Sequence, residues 1–407
     1  MIGAMSFWDE RLTADEIGAL RPGRPADLRH NPDVLIIGGG VVGLATAAAC
    51  VRAGLGHVVV LERDSRLVPA ASGRNSGAIA PDMHVFTDSA EFVAFGRASR
   101  DRYATLDAEW DGAIGLTPTR WLNILAPDQA AEAGPMPSGF RLLDAAEVSE
   151  LEPDVRLPDG GAAVLAAGQY GVNPQRLAVA LAARSGQVAT GATMLDVAVR
   201  GGKAVRVRTT GGDFSPGALV LATGLLPGPW ASGVAQRWVK GHMVAVGPGL
   251  WELRSVLTGP LGGGTPLSDG TIICGGTFDP GDHTDETRTD VTDGLARSLT
   301  SVLPAAALAP VTHRWHCFRP YIEGRQPVID RLPGVANGWF AGGHFTTGVM
   351  MAAETGAALA CWLATGEPPA EIATFTLPAA TAPDTAQPDE TPPDSTPLGS
   401  TPPVGRG

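Results

Sequence analysis

The run Gly38-Gly39-Gly40-Val41-Val42-Gly43, followed about twenty residues later by Glu62, has the residue types and spacing that hold a dinucleotide. Gly38 permits a tight turn, Gly40 with Val42 beside it brings backbone up to a pyrophosphate, and Gly43 lets the next helix pack closely on the preceding strand. The exposed N-terminus of that helix attracts the anion. Glu62 can accept hydrogen bonds from the adenosine ribose hydroxyls, while Arg63 directly after it leaves NADP conceivable on this stretch alone. The competing readings are a glycine-rich turn of an unrelated α/β protein and a membrane span over the nearly uncharged residues 34–51. Four glycines and the abrupt Arg52 favour a buried βαβ unit.

Such a turn needs strands and a helix around it. Asp33 to Ile37 is a β-branched apolar run, Val41 to Arg52 carries the small residues of a close-packed helix, and His57 to Leu61 is apolar again. The polar loop Ala71 to Gly77 follows, where Ser72, Arg74, Asn75 and Ser76 can surround a cofactor with donors. Asp88 to Trp110 is predicted as a helix, Trp121 to Leu125 as a strand of a different sheet, and Asn173-Pro174 as the start of a helix over Gln175 to Arg184. Lys203 to Thr209 and Ala218 to Ala222 read as strands joined by the Gly211-Gly212 turn, the second ending at Gly224. Residues 233–321 are β-rich, with a helix near Val291 to Leu303. Gly338 to Ala341 then leads through Gly342-Gly343-His344-Phe345-Thr346-Thr347-Gly348 into a helix over Val349 to Leu363. This second glycine-rich turn can place N–H groups and a helix N-terminus near an electron-rich part of the cofactor, the alternative being an ordinary βα loop.

With 407 residues the chain can bury a large core, and its length suggests two or three domains. A net charge of -12 and lysines only at Lys203 and Lys240 argue against nucleic acid or an anionic membrane as partner. No signal-peptide progression or later span is evident, so a cytoplasmic location is expected. Cys50, Cys274, Cys317 and Cys361 are scattered without ligand spacing, which predicts neither a metal site nor a disulfide framework. Residues 1–31 read as an N-terminal extension with a capping box at Thr13 to Glu16, and residues 377–407 as a disordered Pro/Thr-rich tail.

Through these motifs the chain resembles the FAD-dependent D-amino-acid oxidase superfamily, most closely its glycine oxidase and sarcosine oxidase branch. The resemblance runs over about residues 33–367 and is carried, in order, by GGGVVG with Glu62, the Ala71–Gly77 loop, Val172-Asn173-Pro174, Leu221 to Gly224, Val239-Lys240-Gly241, Cys317 to Pro320 and Gly343 to Gly348. It implies an α/β protein with a Rossmann-like FAD-binding domain built from discontinuous segments (32–84, 147–232 and 322–376) and an antiparallel-sheet substrate domain (85–146 and 233–321). It also implies FAD as cofactor and oxidation of a C–N bond beside a carboxylate, with hydride passing from the substrate α-carbon to flavin N5. The substrate would be glycine, an N-substituted glycine or a D-amino acid, and oxygen or another acceptor would take the electrons. Activity should rise with pH until the substrate amine is neutral.

The resemblance assigns the substrate carboxylate to Arg319, whose planar guanidinium can bind it through two charge-assisted hydrogen bonds. The alternative is a structural arginine paired to an acid such as Glu323. Tyr321 and His242 are further pocket candidates, each with a structural alternative, and Lys240 is the lysine placed to favour electron transfer to oxygen unless it is a surface residue. Gly224, Gly343, His344, Thr346, Thr347 and Gly348 are assigned to the cofactor, His344 through its backbone N–H. Two positions depart from relatives. Thr346 replaces an arginine common in glycine oxidases, and Cys317 falls where sarcosine oxidases attach the flavin covalently, the alternative being a small buried side chain. Oxidation of a 2-hydroxy acid, since the SGRNSG loop also resembles that of L-2-hydroxyglutarate oxidases, and a non-catalytic flavoprotein are the other readings. Oligomeric state stays open.

Overall fold

The structure, a computed structural model, describes residues 6–324 and 326–378. Val34–Ile37 is buried at every position, as a continuous apolar strand is when a sheet is covered on both faces. It lies in a six-stranded sheet ordered Val328–Arg331, Gly338–Gly342, Ala218–Gly224, Val34–Ile37, Val58–Leu61, Gln187–Ala189. All neighbours are parallel except the edge strand Val328–Arg331. Widely separated stretches of chain supply these strands, so the α/β domain is discontinuous.

Helices Val41–Arg52 and Gly348–Thr365 cover one face. Their small residues allow backbone contact: a Cβ on Gly356 would stand 2.5 Å from the carbonyl oxygen of Ala45. Gly348–Thr365 is the one helix among the described residues long and apolar enough to cross a membrane, and it is 67% buried inside the protein. The other face carries a three-stranded sheet, Met194–Arg200, Lys203–Thr209 and Gly212–Phe214, which buries Val207 and Phe214 against Leu35 and Leu219. The Gly211-Gly212 turn therefore closes a hairpin with Gly212–Phe214. Ala218–Gly224, expected to pair through that turn, joins the large sheet instead, where both its faces are covered.

The remaining strands form two further sheets. One is antiparallel, in the order Thr265–Pro266, Ile272–Gly275, Gln236–Val246, Val311–Ile322. The other runs Ser255–Thr258, Thr117–Leu125, Ala162–Gly171, Ala78–Ile79, with Phe140–Leu143 added beside Ala162–Gly171. Ala162–Gly171 lies in a stretch that the sequence reading places with the nucleotide-binding segments. It pairs with Thr117–Leu125 because Ala163 and Leu165 complete a core with Leu122, Ile124 and Leu143.

Part of the N-terminal extension is packed across these regions. Thr13 and Glu16 form the expected capping box on Ala14–Ala19. Phe7 and Trp8 are buried against Met243, Ala245 and Ile273 of the antiparallel sheet, and Arg66 pairs with Asp9 at 2.9 Å. Two indoles then hold consecutive carbonyls of the Ala71–Gly77 loop: Trp8 Nε1 donates to Asn75 O and Trp315 Nε1 to Arg74 O, both at 2.9 Å. At the other end Phe375 is buried against Phe95. The predicted tail lies outside the described residues from position 379 onward.

Candidate active site

The carboxyl ends of the central parallel strands open onto one cavity of about 1250 Å³, with Ile37, Leu61, Ala222 and Ala341 in its lining. This is the crevice where doubly wound sheets bind nucleotides. Gly38 has φ +122°, and a Cβ there would lie 2.3 Å from Ala222 O. A Cβ on Gly43 would lie 2.0 Å from Gly38 O, so this glycine serves the strand–helix contact and does not itself line the cavity. Gly40 and Val42 do line it, and the open side of Gly40 faces only Ser72 Oγ, at 3.2 Å from an added Cβ.

Glu62 ends its strand buried, with Oε2 accepting from Gly39 N at 2.7 Å and Oε1 from Asp64 N at 2.9 Å. Burial pushes its carboxyl above the usual range despite those donors. A carboxylate held at the cavity edge by backbone donors is suited to further hydroxyl donors. Arg63 also lines the cavity but is exposed and paired with Asp64 at 3.6 Å. Ser72, Asn75 and Ser76 line it as well. Ser72 Oγ accepts from Val41 N at the helix start, and Asn75 braces the loop by donating to Ala71 O and Ser72 O and accepting from Gly77 N. Arg74 is exposed and outside the lining, and its carbonyl accepts from Trp315 Nε1.

Gly224, at the end of its strand, and His344, Thr346, Thr347 and Gly348 of the second turn border the cavity. Gly343 sits behind it, with φ +66° and its N–H donating to Gly224 O at 2.7 Å. The His344 ring points inward to Thr355 Oγ1 at 3.0 Å, and burial lowers its pKa to about 4. The unfolded chain, protonating near 6.5, takes up this proton first. The contribution of His344 to stability is therefore full above that pH and is lost as the pH falls toward 4, by about 3 kcal/mol. Thermal unfolding of the His344→Gln variant should show a shallower loss of Tm across this interval than the parent; equal slopes would contradict the assignment.

Strand alternation sorts the remaining candidates. On Gln236–Val246 and Val311–Ile322 the facing pairs Arg237/Tyr321, Val239/Arg319 and Gly241/Cys317 share the cavity face. Lys240/Phe318 and His242/His316 lie on the other. The sequence candidates Lys240 and His242 are thus corrected: neither lines the cavity. Lys240 is fully buried and donates to Asp282 Oδ2 and Thr284 O, each at 2.8 Å, which holds the Asp282 carboxyl far below the usual range. His242 is fully buried, neither ring nitrogen has a partner among the described residues, and burial and the nearby Lys240 charge lower its pKa.

Arg319 is buried, donates from Nη1 to Thr277 O at 2.7 Å, and lies 5.1 Å from the Phe278 ring centroid. It makes no ion pair among the described residues, so the pairing with Glu323 is not formed. Its guanidinium occupies the space over Gly241, where a Cβ would fall 2.1 Å from Nη1. Sequence reading took Gly241 only as part of a motif; its spatial task depends on the register of two strands distant in sequence. The clash in Gly241→Ala involves the tip of a flexible side chain, so the variant should fold and bind FAD while kcat/KM for carboxylate substrates drops about ten- to hundredfold. Unchanged kinetics would show that the guanidinium need not occupy that space. Phe278, Trp121 and Phe345 also line the cavity without having been singled out, since no local motif marks an aromatic as wall or core.

Comparison with known proteins agrees with this geometry. The family model described as FAD dependent oxidoreductase matches residues 33–362. Glycine oxidase of Bacillus licheniformis is 27% identical over 359 residues, 82% of this chain and 93% of that protein, and glycine oxidase of Pseudomonas aeruginosa is 28% identical, covering 82% and 95%. The solved glycine oxidase of Geobacillus kaustophilus superposes with a TM-score of 0.76 at 23% identity, covering 87% of this chain and all of that one. The pyrophosphate turn, the buried acid and the sheet-covered cavity fit FAD, and the chain belongs to the FAD dependent oxidoreductase family, in its glycine-oxidase-like branch.

Proposed function

We propose that this FAD-dependent amine oxidase or dehydrogenase oxidises the C–N bond of glycine, an N-substituted glycine or a D-amino acid, with oxygen as the electron acceptor. The observation that carries the substrate class is Arg319, a buried cation facing the cavity with no carboxylate against it among the described residues. A guanidinium so placed binds a carboxylate in two directions at once, which sets the angle as well as the position of the α-carbon. Bound FAD supplies the two-electron oxidation. Around it, Thr277 O fixes one side of the Arg319 fork, and Phe278, Phe345 and Tyr321 make an apolar wall that keeps water from the substrate. The backbone turns at Gly38–Gly40 and Thr346–Gly348, which border the cavity, would hold the cofactor. Burial pushes the Cys317 thiol up, which disfavours the thiolate and supports a non-covalent flavin with Cys317 as a small buried side chain. Flavin that stays with acid-denatured protein, and is lost in Cys317→Ala, would reverse that assignment.

The test is anaerobic bleaching of the flavin band by glycine, sarcosine, larger N-alkylglycines, D-amino acids and 2-hydroxy acids. Bleaching by an amine names the substrate class. Bleaching by hydroxy acids alone replaces the amine reading with that alternative.

A further inference from the structure

Among the described residues three arginines line the cavity, and one of them, Arg63, is paired with Asp64. The other two, Arg319 and Arg237, form no ion pair among the described residues. They lie on the same face of adjacent strands: Arg237 stands opposite Tyr321, and Arg319 opposite Val239. That makes them diagonal neighbours, about 7–8 Å apart at the backbone. An aromatic wall joins them. Arg237 lies 4.7 Å from the Tyr321 ring centroid, Tyr321 meets Phe345 edge-on at 5.2 Å, Phe345 is 5.5 Å from Phe278, and Arg319 sits over Phe278 at 5.1 Å. Phe345 holds this position with φ +49°, a conformation that a bulky side chain adopts at a cost and that marks a constrained, functional turn.

The geometry points to a substrate with two anionic ends: an amino diacid, such as an N-carboxyalkyl glycine or an acidic D-amino acid, whose second carboxylate is received by Arg237. Two unneutralised cations bordering one cavity repel each other, and a ligand that places a carboxylate on each relieves both. The apolar rings between them suit the methylene part of such a molecule. This inference rests on the reading that Arg319 takes the α-carboxylate. Arg237 is exposed at the rim, so its pair with the ligand is screened and its effect is about three- to tenfold in affinity, declining with salt.

Binding of unreactive acids to the FAD-loaded protein, read as a shift of the flavin absorption band, separates the two arginines without turnover. Propionate would be compared with succinate, glutarate and adipate, in the parent and in Arg237→Gln, at low and high ionic strength. The expected result is that at least one diacid binds the parent more tightly than propionate, and that this preference disappears in Arg237→Gln and shrinks with salt. Equal binding of mono- and diacids by the parent, or a preference that survives in the variant, overturns the Arg237 assignment alone. If no carboxylate, propionate included, perturbs the parent flavin, the Arg319 reading falls and this inference with it.

Discussion

Replacing Arg319 by Lys is expected to lower kcat/KM for carboxylate-bearing amines by about a hundred- to thousandfold in a protein that still purifies yellow. The argument starts from the fork. Lys keeps the charge but presents it as a single point, so one of two charge-assisted hydrogen bonds is lost, worth about 1.5–3 kcal/mol. The shorter reach toward Thr277 O also releases the side chain from its present anchor, and the substrate α-carbon loses its fixed angle. The fold should tolerate the change because, among the described residues, Arg319 reaches no carboxylate that would be stranded. Steady-state kinetics with matched amines, with and without a carboxylate, make the check. If both amine types slow equally, Arg319 serves the cavity wall and not the carboxylate, and near-normal kinetics would remove it from substrate binding altogether.

Gly43→Ala should yield protein that retains less than about a tenth of its FAD. The added methyl would sit 2.0 Å from Gly38 O, a backbone atom of a turn whose Gly38 N–H is tied to Leu61 O at 2.8 Å. Overpacking of this kind costs about 1–3 kcal/mol, and relief requires opening the turn that brings the helix N-terminus to the cavity. Gly18→Ala is the control: on the helix Ala14–Ala19 its methyl meets nothing within 4 Å and it lies outside the cavity, so FAD retention should be unchanged. Flavin-to-protein absorbance ratios after gel filtration decide the matter. Equal retention in the two variants would mean that the turn adapts, and that steric packing at Gly43 is not what shapes the site.

Much of this protein was legible in its sequence where function depends on residues close together in the chain. The pyrophosphate turn, its flanking strands, the acid at Glu62 and the second turn at Gly343–Gly348 are local, because backbone N–H groups and a helix N-terminus are placed by neighbouring φ and ψ angles. The helix starts at Asn173 and Thr13 were equally readable from their caps. Periodicity, by contrast, says that a strand alternates without saying which face meets the cofactor. Lys240 and His242 looked suited to chemistry, and Gly241 between them did not, yet the register of Gln236–Val246 against Val311–Ile322 puts Gly241 beneath Arg319 and turns the other two away. The partner of Ala162–Gly171 and the packing of Phe7 and Trp8 onto the antiparallel sheet were likewise settled by which apolar faces remained to be buried. The sequence by itself determined the two glycine-rich turns that border the cavity and the family, because those rest on short-range backbone geometry. Only the tertiary structure decided which charged side chains reach the cavity, because that depends on cross-strand register and on long-range burial that no local pattern records.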